Sequence, residues 1–182
     1  DYTRMAMAGC VAISEPAFWA GFDRASVKGF YDYYRQLTEY EPQRAAKFGI
    51  QHFCWLCINP KEADDPAFAQ EVIDIIPDFL PKPNVLGIGE IGLNKNTKNE
   101  HIILEQQIDL AAQHGQLILV HTPHLEDKRK GTLLILDAIA NHSAIKPGRV
   151  LIDHVEEHTV EDVLDRGFWA GMTLYPETKC TS

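Results

Sequence analysis

Val85-Leu86-Gly87-Ile88-Gly89-Glu90-Ile91-Gly92-Leu93 is apolar from end to end except for one carboxylate, and three glycines interrupt it. A run that is apolar at both alternating positions is a strand buried on both faces, the pattern of a parallel sheet covered by helices. Its flanks agree. Upstream, Asp65-Pro66 supplies a cap and a first-turn proline, and predicts a helix to about Leu80. Downstream, Thr97-Lys98-Asn99-Glu100 has the form of a capping box. The helix it opens carries Leu104, Ile108 and Ala111 on one face and stops at Gly115.

The same unit recurs in both directions. Leu117 to His121 and Val150 to His154 are short apolar strands, with a helix from Thr132 to about Asn141 between them. Thr159 opens a short helix ending at Gly167, and Phe168 to Tyr175 is a last strand. Towards the N-terminus, Ile50 to Ile58 is a strand closed by Asn59-Pro60. A helix from Gly29 to Phe48, ended by Gly49, precedes it, and Val11 to Glu15 is the first strand, with a helix stub before it. Strict strand-then-helix alternation predicts an α/β fold with parallel strands and right-handed crossovers. An open doubly wound sheet and a closed (β/α)8 TIM barrel both satisfy it. A barrel needs roughly 250 residues, so about six strands in 182 residues would make a partial barrel. Residues 1–182 are expected to form one domain, incomplete at both termini.

Composition narrows the partners. A net charge of -9 disfavours nonspecific nucleic-acid or membrane binding, which needs basic surface. A small-molecule substrate fits better, and no apolar run is long enough for a membrane span. Cys54-Trp55-Leu56-Cys57 spells C-x-x-C inside a strand, where residues three apart face opposite ways, so two structural thiols are expected. Cysteine usage points to a reducing, cytoplasmic compartment.

The chemistry lies at the strand ends. Glu90, His121 and His154 fall one strand–helix unit apart, near the carboxyl ends of three successive strands. Neighbouring parallel strands lie about 5 Å apart, so the three side chains can converge on one cation. Such an ion would offset the cost of burying the carboxylate. A lone strand-end histidine is more often structural; three such residues in register are not readily explained that way. Glu15 is a further candidate ligand, with loop capping as its alternative. His124, on the loop after His121, is a candidate for proton transfer or substrate contact. Asn59 and Tyr175 are candidate substrate contacts at the mouth. Asp153 is expected to face away from His154, into the helix layer, and His52 to be structural.

Gly89-Glu90-Ile91-Gly92-Leu93, followed by His121-Thr122 and then His154, resembles the TatD-like branch of metal-dependent hydrolases in the amidohydrolase superfamily. The resemblance spans essentially the whole chain. It implies a barrel and a hydrolytic site with one or two divalent ions, zinc, manganese or magnesium. It also implies an H-x-H pair on the first strand and an Asp on the eighth, neither of which has a counterpart in this sequence. Glu90, His121 and His154 match the ligands of the fourth, fifth and sixth strands. Two stretches depart from the family pattern. Cys57-Ile58-Asn59-Pro60 replaces a G-x-H-P stretch, and Pro123 stands where many members have Arg. Both lie at the substrate mouth and weigh against DNase activity. A phosphoester is the expected substrate class, with a small amide, ester or lactone second. The other reading is a catalytically inactive barrel that binds a small molecule or a partner protein.

Overall fold

Capping chemistry sets where each helix starts. In the computed structural model, which describes residues 1–124 and 127–174, Asp65 accepts from the amides of Ala67 and Phe68 at the head of α4 (Pro66–Ile75). The Thr97–Glu100 capping box is formed at the head of α5 (Lys98–Gln113). The buried Glu100 carboxylate also takes the amides of Asn94 and Lys95, each at 3.0 Å. Two helices begin earlier than their apolar pattern predicts, because the capping residue lies upstream of the first apolar position. Ser26 caps α2 (Val27–Arg35), and Asp127 caps α6 (Lys128–Ala140).

The run after Ser26 continues to residue 46, with one widened turn. Gln36–Tyr40 is a π-helical turn joining α2 to α3 (Glu41–Ala46), and the Glu41 amide reaches five residues back to the Gln36 carbonyl. Pro42 accounts for the break in pattern. It has no N–H to give, and its ring would clash with the carbonyl four residues earlier in a regular helix.

Six strands form one sheet in the order β1-β2-β3-β4-β5-β6, and every pairing is parallel. They are β1 (Ala12–Pro16), β2 (Gln51–Leu56), β3 (Val85–Gly92), β4 (Leu117–His121), β5 (Val150–Asp153) and β6 (Trp169–Ala170). Sequential order resolves the choice between architectures. A doubly wound sheet reverses direction at a switch point, whereas a barrel adds each strand beside the last. The sheet is a curled half-barrel, with α1 (Tyr2–Met7) before it and the helices between its strands, ending in α7 (Val160–Asp165). β6 is shorter than the sequence predicts, and the Tyr175 end of that segment lies outside the described residues.

The core fills the space between the sheet and the helices. Cys54, Leu56, Ile88, Ile91, Ile118, Val120, Val150 and Ile152 pack from the strands against Tyr34, Leu37, Val72, Ile108 and Leu136 from the helices. Gln107 is buried within this layer. Its amide group donates to the Ile58 carbonyl at 3.2 Å and accepts from the Ile58 amide at 2.9 Å, fixing the chain where β2 has ended. The glycines of β3 face β4 closely. A Cβ at Gly87 or Gly92 would strike the carbonyl oxygens of Leu117 and His121, so only glycine lets these strands approach as they do.

Cys54 and Cys57 are free, buried thiols. Burial pushes the Cys54 thiol up to about 12 and the Cys57 thiol well above its ordinary value. Neither has the exposed, electropositive surroundings of a reactive cysteine. Among the described residues, no helix is long and apolar enough to cross a membrane.

Candidate metal centre

The β3–β4 bulge between Ile88 and Ile91 brings Glu90 to the carboxyl end of the sheet, where it is 8% exposed. Its Oε1 accepts from two imidazoles, His121 Nδ1 at 3.2 Å and His154 Nε2 at 2.9 Å. Oε2 accepts from the Asn59 side-chain amide at 3.3 Å. Burial pushes the Glu90 carboxyl up, but the hydrogen bonds from His121 and His154 outweigh it and hold it well below the usual carboxylate range. Burial lowers the proton affinity of His121, against the pull of Glu90, and so favours the neutral ring. His121 Nε2 is buried with no partner.

His154 owes its place to its backbone. β5 ends at Asp153, and His154 adopts a left-handed conformation with φ of 60°. For a residue with a Cβ this costs on the order of 1–3 kcal/mol and persists only when neighbours impose it. The neighbours are evident. The His154 amide donates to Asp153 Oδ1 at 2.7 Å, and its Nδ1 bonds Thr173 Oγ1. Thr122 Oγ1 donates to the Asp153 carbonyl at 2.9 Å, and buried Lys128 bonds Thr122 Oγ1 and the Pro123 carbonyl. Lys128 also pairs with Glu156 at 3.5 Å. The loops that follow β4 and β5 are thus tied to each other.

The sequence-derived residues divide into two groups. Glu90, His121, His154 and Asn59 are brought together. So is His124, whose ring centroid lies 4.8 Å from that of His121 and 4.5 Å from that of His154. Glu15 is not brought to them. It shares a face of the sheet with Cys54 and bonds His52 Nε2 at 2.8 Å, a hydrogen bond between β1 and β2. Tyr175 lies outside the described residues.

Asp153 does not face the helix layer, as alternation from His154 would require. It lies level with His121 in the β4–β5 register, and its ligand atoms fall in one group with those of Glu90 and His154, within 4.8 Å. Counting each strand from its first apolar residue misses this. Val150 pairs with Ile118, not Leu117, so β5 is offset by one residue. The left-handed turn at His154 then returns its ring to the same side. Lys61 was also missed. Its charge lowers the proton affinity of His121, and its ammonium sits 5.3 Å from the Trp19 ring.

Each of the two imidazole nitrogens lies about 3 Å from Glu90 Oε1, the oxygen–nitrogen spacing of ligands around one first-row ion. Protein-bound imidazoles must be neutral to serve as ligands, and the burial of His121 meets that demand. The donor set therefore fits a divalent cation. A curled parallel sheet with such a set at its carboxyl end defines a metal-dependent hydrolase of the barrel type.

The chain belongs to the TatD-related DNase family, whose profile matches residues 15–179. An uncharacterized metal-dependent hydrolase of Methanocaldococcus jannaschii is 30% identical over 181 residues, covering 100% of this chain and 70% of that protein. The crystal structure of a TatD-like protein from Archaeoglobus fulgidus superposes with a TM-score of 0.77 at 26% identity, over 94% of this chain and 70% of its own. The phosphotriesterase homology protein of Escherichia coli, solved with phosphate in its active site, shares the fold. Its TM-score is 0.58 at 16% identity, over 93% of this chain and 60% of its own.

Proposed function

We propose that this hydrolase cleaves a phosphoester with a divalent ion held by Glu90, His121 and His154. The observation that carries the reading is the meeting at Glu90 Oε1 of one nitrogen from each imidazole, at 3.2 and 2.9 Å. Mixed nitrogen and oxygen donors suit zinc or manganese better than magnesium. Asp153, grouped with Glu90 and His154, leaves room in the reading for one ion or two. An ion held by Glu90, His121 and His154 would supply a water of lowered pKa and electrostatic pull on the bond under attack.

The chain's own residues prepare the site. Asn59 holds Glu90 Oε2, so Oε1 is the oxygen presented to the imidazoles. Thr173 and the Asp153–Thr122–Lys128 network fix the direction of His154 and restrict its rotation. Lys61, whose charge is felt at His121, favours an anionic substrate. The family's description as DNases supports a phosphoester. The net charge of -9 and Pro123 at the mouth favour a small one over a polynucleotide. Glu15, engaged with His52, is left out of the ligand set. We take residues 1–182 as a single domain. The free thiols of Cys54 and Cys57 favour a reducing compartment such as the cytoplasm.

Elemental analysis of the protein purified without added metal tests the centre. Bound zinc or manganese, lost in Glu90→Ala, is the expected result. No ion in the wild-type protein would point instead to an inactive barrel that binds a small molecule or a partner. Turnover of p-nitrophenyl phosphate, its bis-ester and a single-stranded oligonucleotide then ranks the substrates. Hydrolysis of carboxylic esters or lactones alone would overturn the phosphoester assignment.

A further inference from the structure

We infer that His124 supplies an additional imidazole ligand to the metal centre, making it a three-histidine site. The inference rests on the reading of Glu90, His121 and His154 as ligands and adds a donor from the loop after β4. Three rings face one another there. His121 and His154 lie 4.9 Å apart by centroid, and His124 closes the triangle at 4.8 and 4.5 Å. A nitrogen from each ring falls within 4.8 Å of the other two. Three nitrogens on one tetrahedral ion stand about 3.3 Å apart, given metal–nitrogen bonds of about 2.0–2.1 Å. Binding of the ion would draw the three nitrogens in to that spacing.

The loop is built to place that ring. Pro123 fixes the backbone immediately before it, and Lys128 Nζ holds the Pro123 carbonyl at 3.1 Å. A Cβ at Gly131 in α6 would strike Pro123, so the helix packs directly under the turn. His121 adds a second indication, since its buried Nε2 has no partner among the described residues. A buried nitrogen left bare is costly, and a cation taken by that nitrogen, while Nδ1 stays on Glu90, would remove the cost. A histidine whose task was proton transfer would need only to reach the substrate. It would not need to stand equally close to both other imidazoles.

The test is cobalt substitution of the whole protein, read by visible absorption and by affinity. Wild-type protein should give the intense d–d bands of a low-coordinate nitrogen-rich site. His124→Ala should weaken cobalt and zinc binding at least about ten-fold and shift those bands, and added free imidazole should restore them. A far-UV spectrum unchanged from wild type confirms that His124→Ala is folded. Identical bands and affinity in His124→Ala would overturn the inference, and a changed pH profile alongside them would assign His124 to proton transfer. Absence of cobalt binding by the wild-type protein would overturn this inference together with the proposed function; failure of His124→Ala alone to matter leaves that function standing.

Discussion

Two glutamates are buried towards the carboxyl side of neighbouring strands, and they keep different company. Glu62 follows β2 and is 7% exposed; Glu90 lies near the end of β3 and is 8% exposed. Glu62 faces Arg24, which donates from its backbone amide at 2.8 Å and its guanidinium at 2.5 Å. That guanidinium also donates to the Phe18 carbonyl and lies 4.0 Å from the Tyr33 ring. Every donor there is permanent, since arginine never gives up its proton. Glu90 faces imidazoles, which lose a proton readily and can then turn a lone pair to a metal. The first arrangement closes on itself and holds a loop. The second leaves a buried nitrogen at His121 bare and has work to do.

The largest effects should come from exchanging the roles of these two residues. Glu62→Ala leaves the Arg24 charge buried without its counter-ion. The expected cost is about 3 kcal/mol, or roughly 10 °C in Tm, with metal content unchanged. Glu90→Ala should do the reverse, removing the metal and at least about a hundred-fold of activity while the metal-free Tm falls less. Calorimetry and elemental analysis on both variants would check this. A Glu62→Ala protein that lost its ion, or a Glu90→Ala protein that kept it, would erase the distinction.

Acid separates the two sites next. His121 has its folded proton affinity lowered from 6.5, and Glu90 has its own lowered from 4.5. Both groups bind fewer protons folded than unfolded, so both favour the fold at neutral pH. The metal-free protein should therefore begin to lose stability as pH falls through about 6.5, and lose it more steeply below 4.5. Glu62 has its proton affinity raised, by burial above all and despite Arg24, so it adds nothing to that acid loss. Denaturant titrations from pH 8 down to about 2.5 measure the slope. A Glu90→Gln protein should lack the lower step, and an unchanged profile in that variant would refute the assignment.

The contrast also shows what a sequence discloses. Glu90, His121 and His154 were legible because each interrupts an apolar run at a strand end, one unit apart. The alternating order of strands and helices was equally plain, and only the choice between open sheet and barrel waited for the strand order. Asp153 was misjudged because face assignment by alternation fails where the backbone turns left-handed, as at His154. Glu15 looked like a ligand because it too ends a strand, and nothing local reveals that His52 of the next strand takes it. Gln107 and Lys128 left no signal at all. Each is a polar residue on an amphipathic helix, and each is buried by partners far along the chain or across a loop.

A smaller effect should follow from loosening the loops around the histidines. Thr122→Val removes the hydroxyl that donates to the Asp153 carbonyl and accepts from Lys128. No proposed ligand is touched, yet the direction of His154 is no longer fixed from below. Metal affinity should fall about ten-fold, with about 1–2 kcal/mol of stability lost. Competition with a chromogenic chelator reads the first figure, and denaturant unfolding the second. The corresponding change beside Glu62 is Tyr33→Leu, which takes away the ring under Arg24. It should lower stability and leave the chelator titration where it was.

The smallest effect belongs to Cys57, which stands between the two glutamates. Its thiol donates to the Glu90 carbonyl at 3.1 Å and lies 3.6 Å from the Ala17 carbonyl, at the start of the loop that Arg24 secures. A thiol is a weak donor, so little of either site should depend on it. Cys57→Ala should cost about 1 kcal/mol and change metal affinity by less than about two-fold. Burial also holds the thiol protonated well above its ordinary value, and only the thiolate reacts. Peptide mapping after iodoacetamide at pH 8 should therefore find Cys57 and Cys54 unmodified in the folded protein and modified after denaturation. Rapid labelling of Cys57 in the metal-free protein alone would mean that the metal centre holds the neighbouring loop closed. The two buried glutamates would then belong to one cooperative unit, not two independent sites.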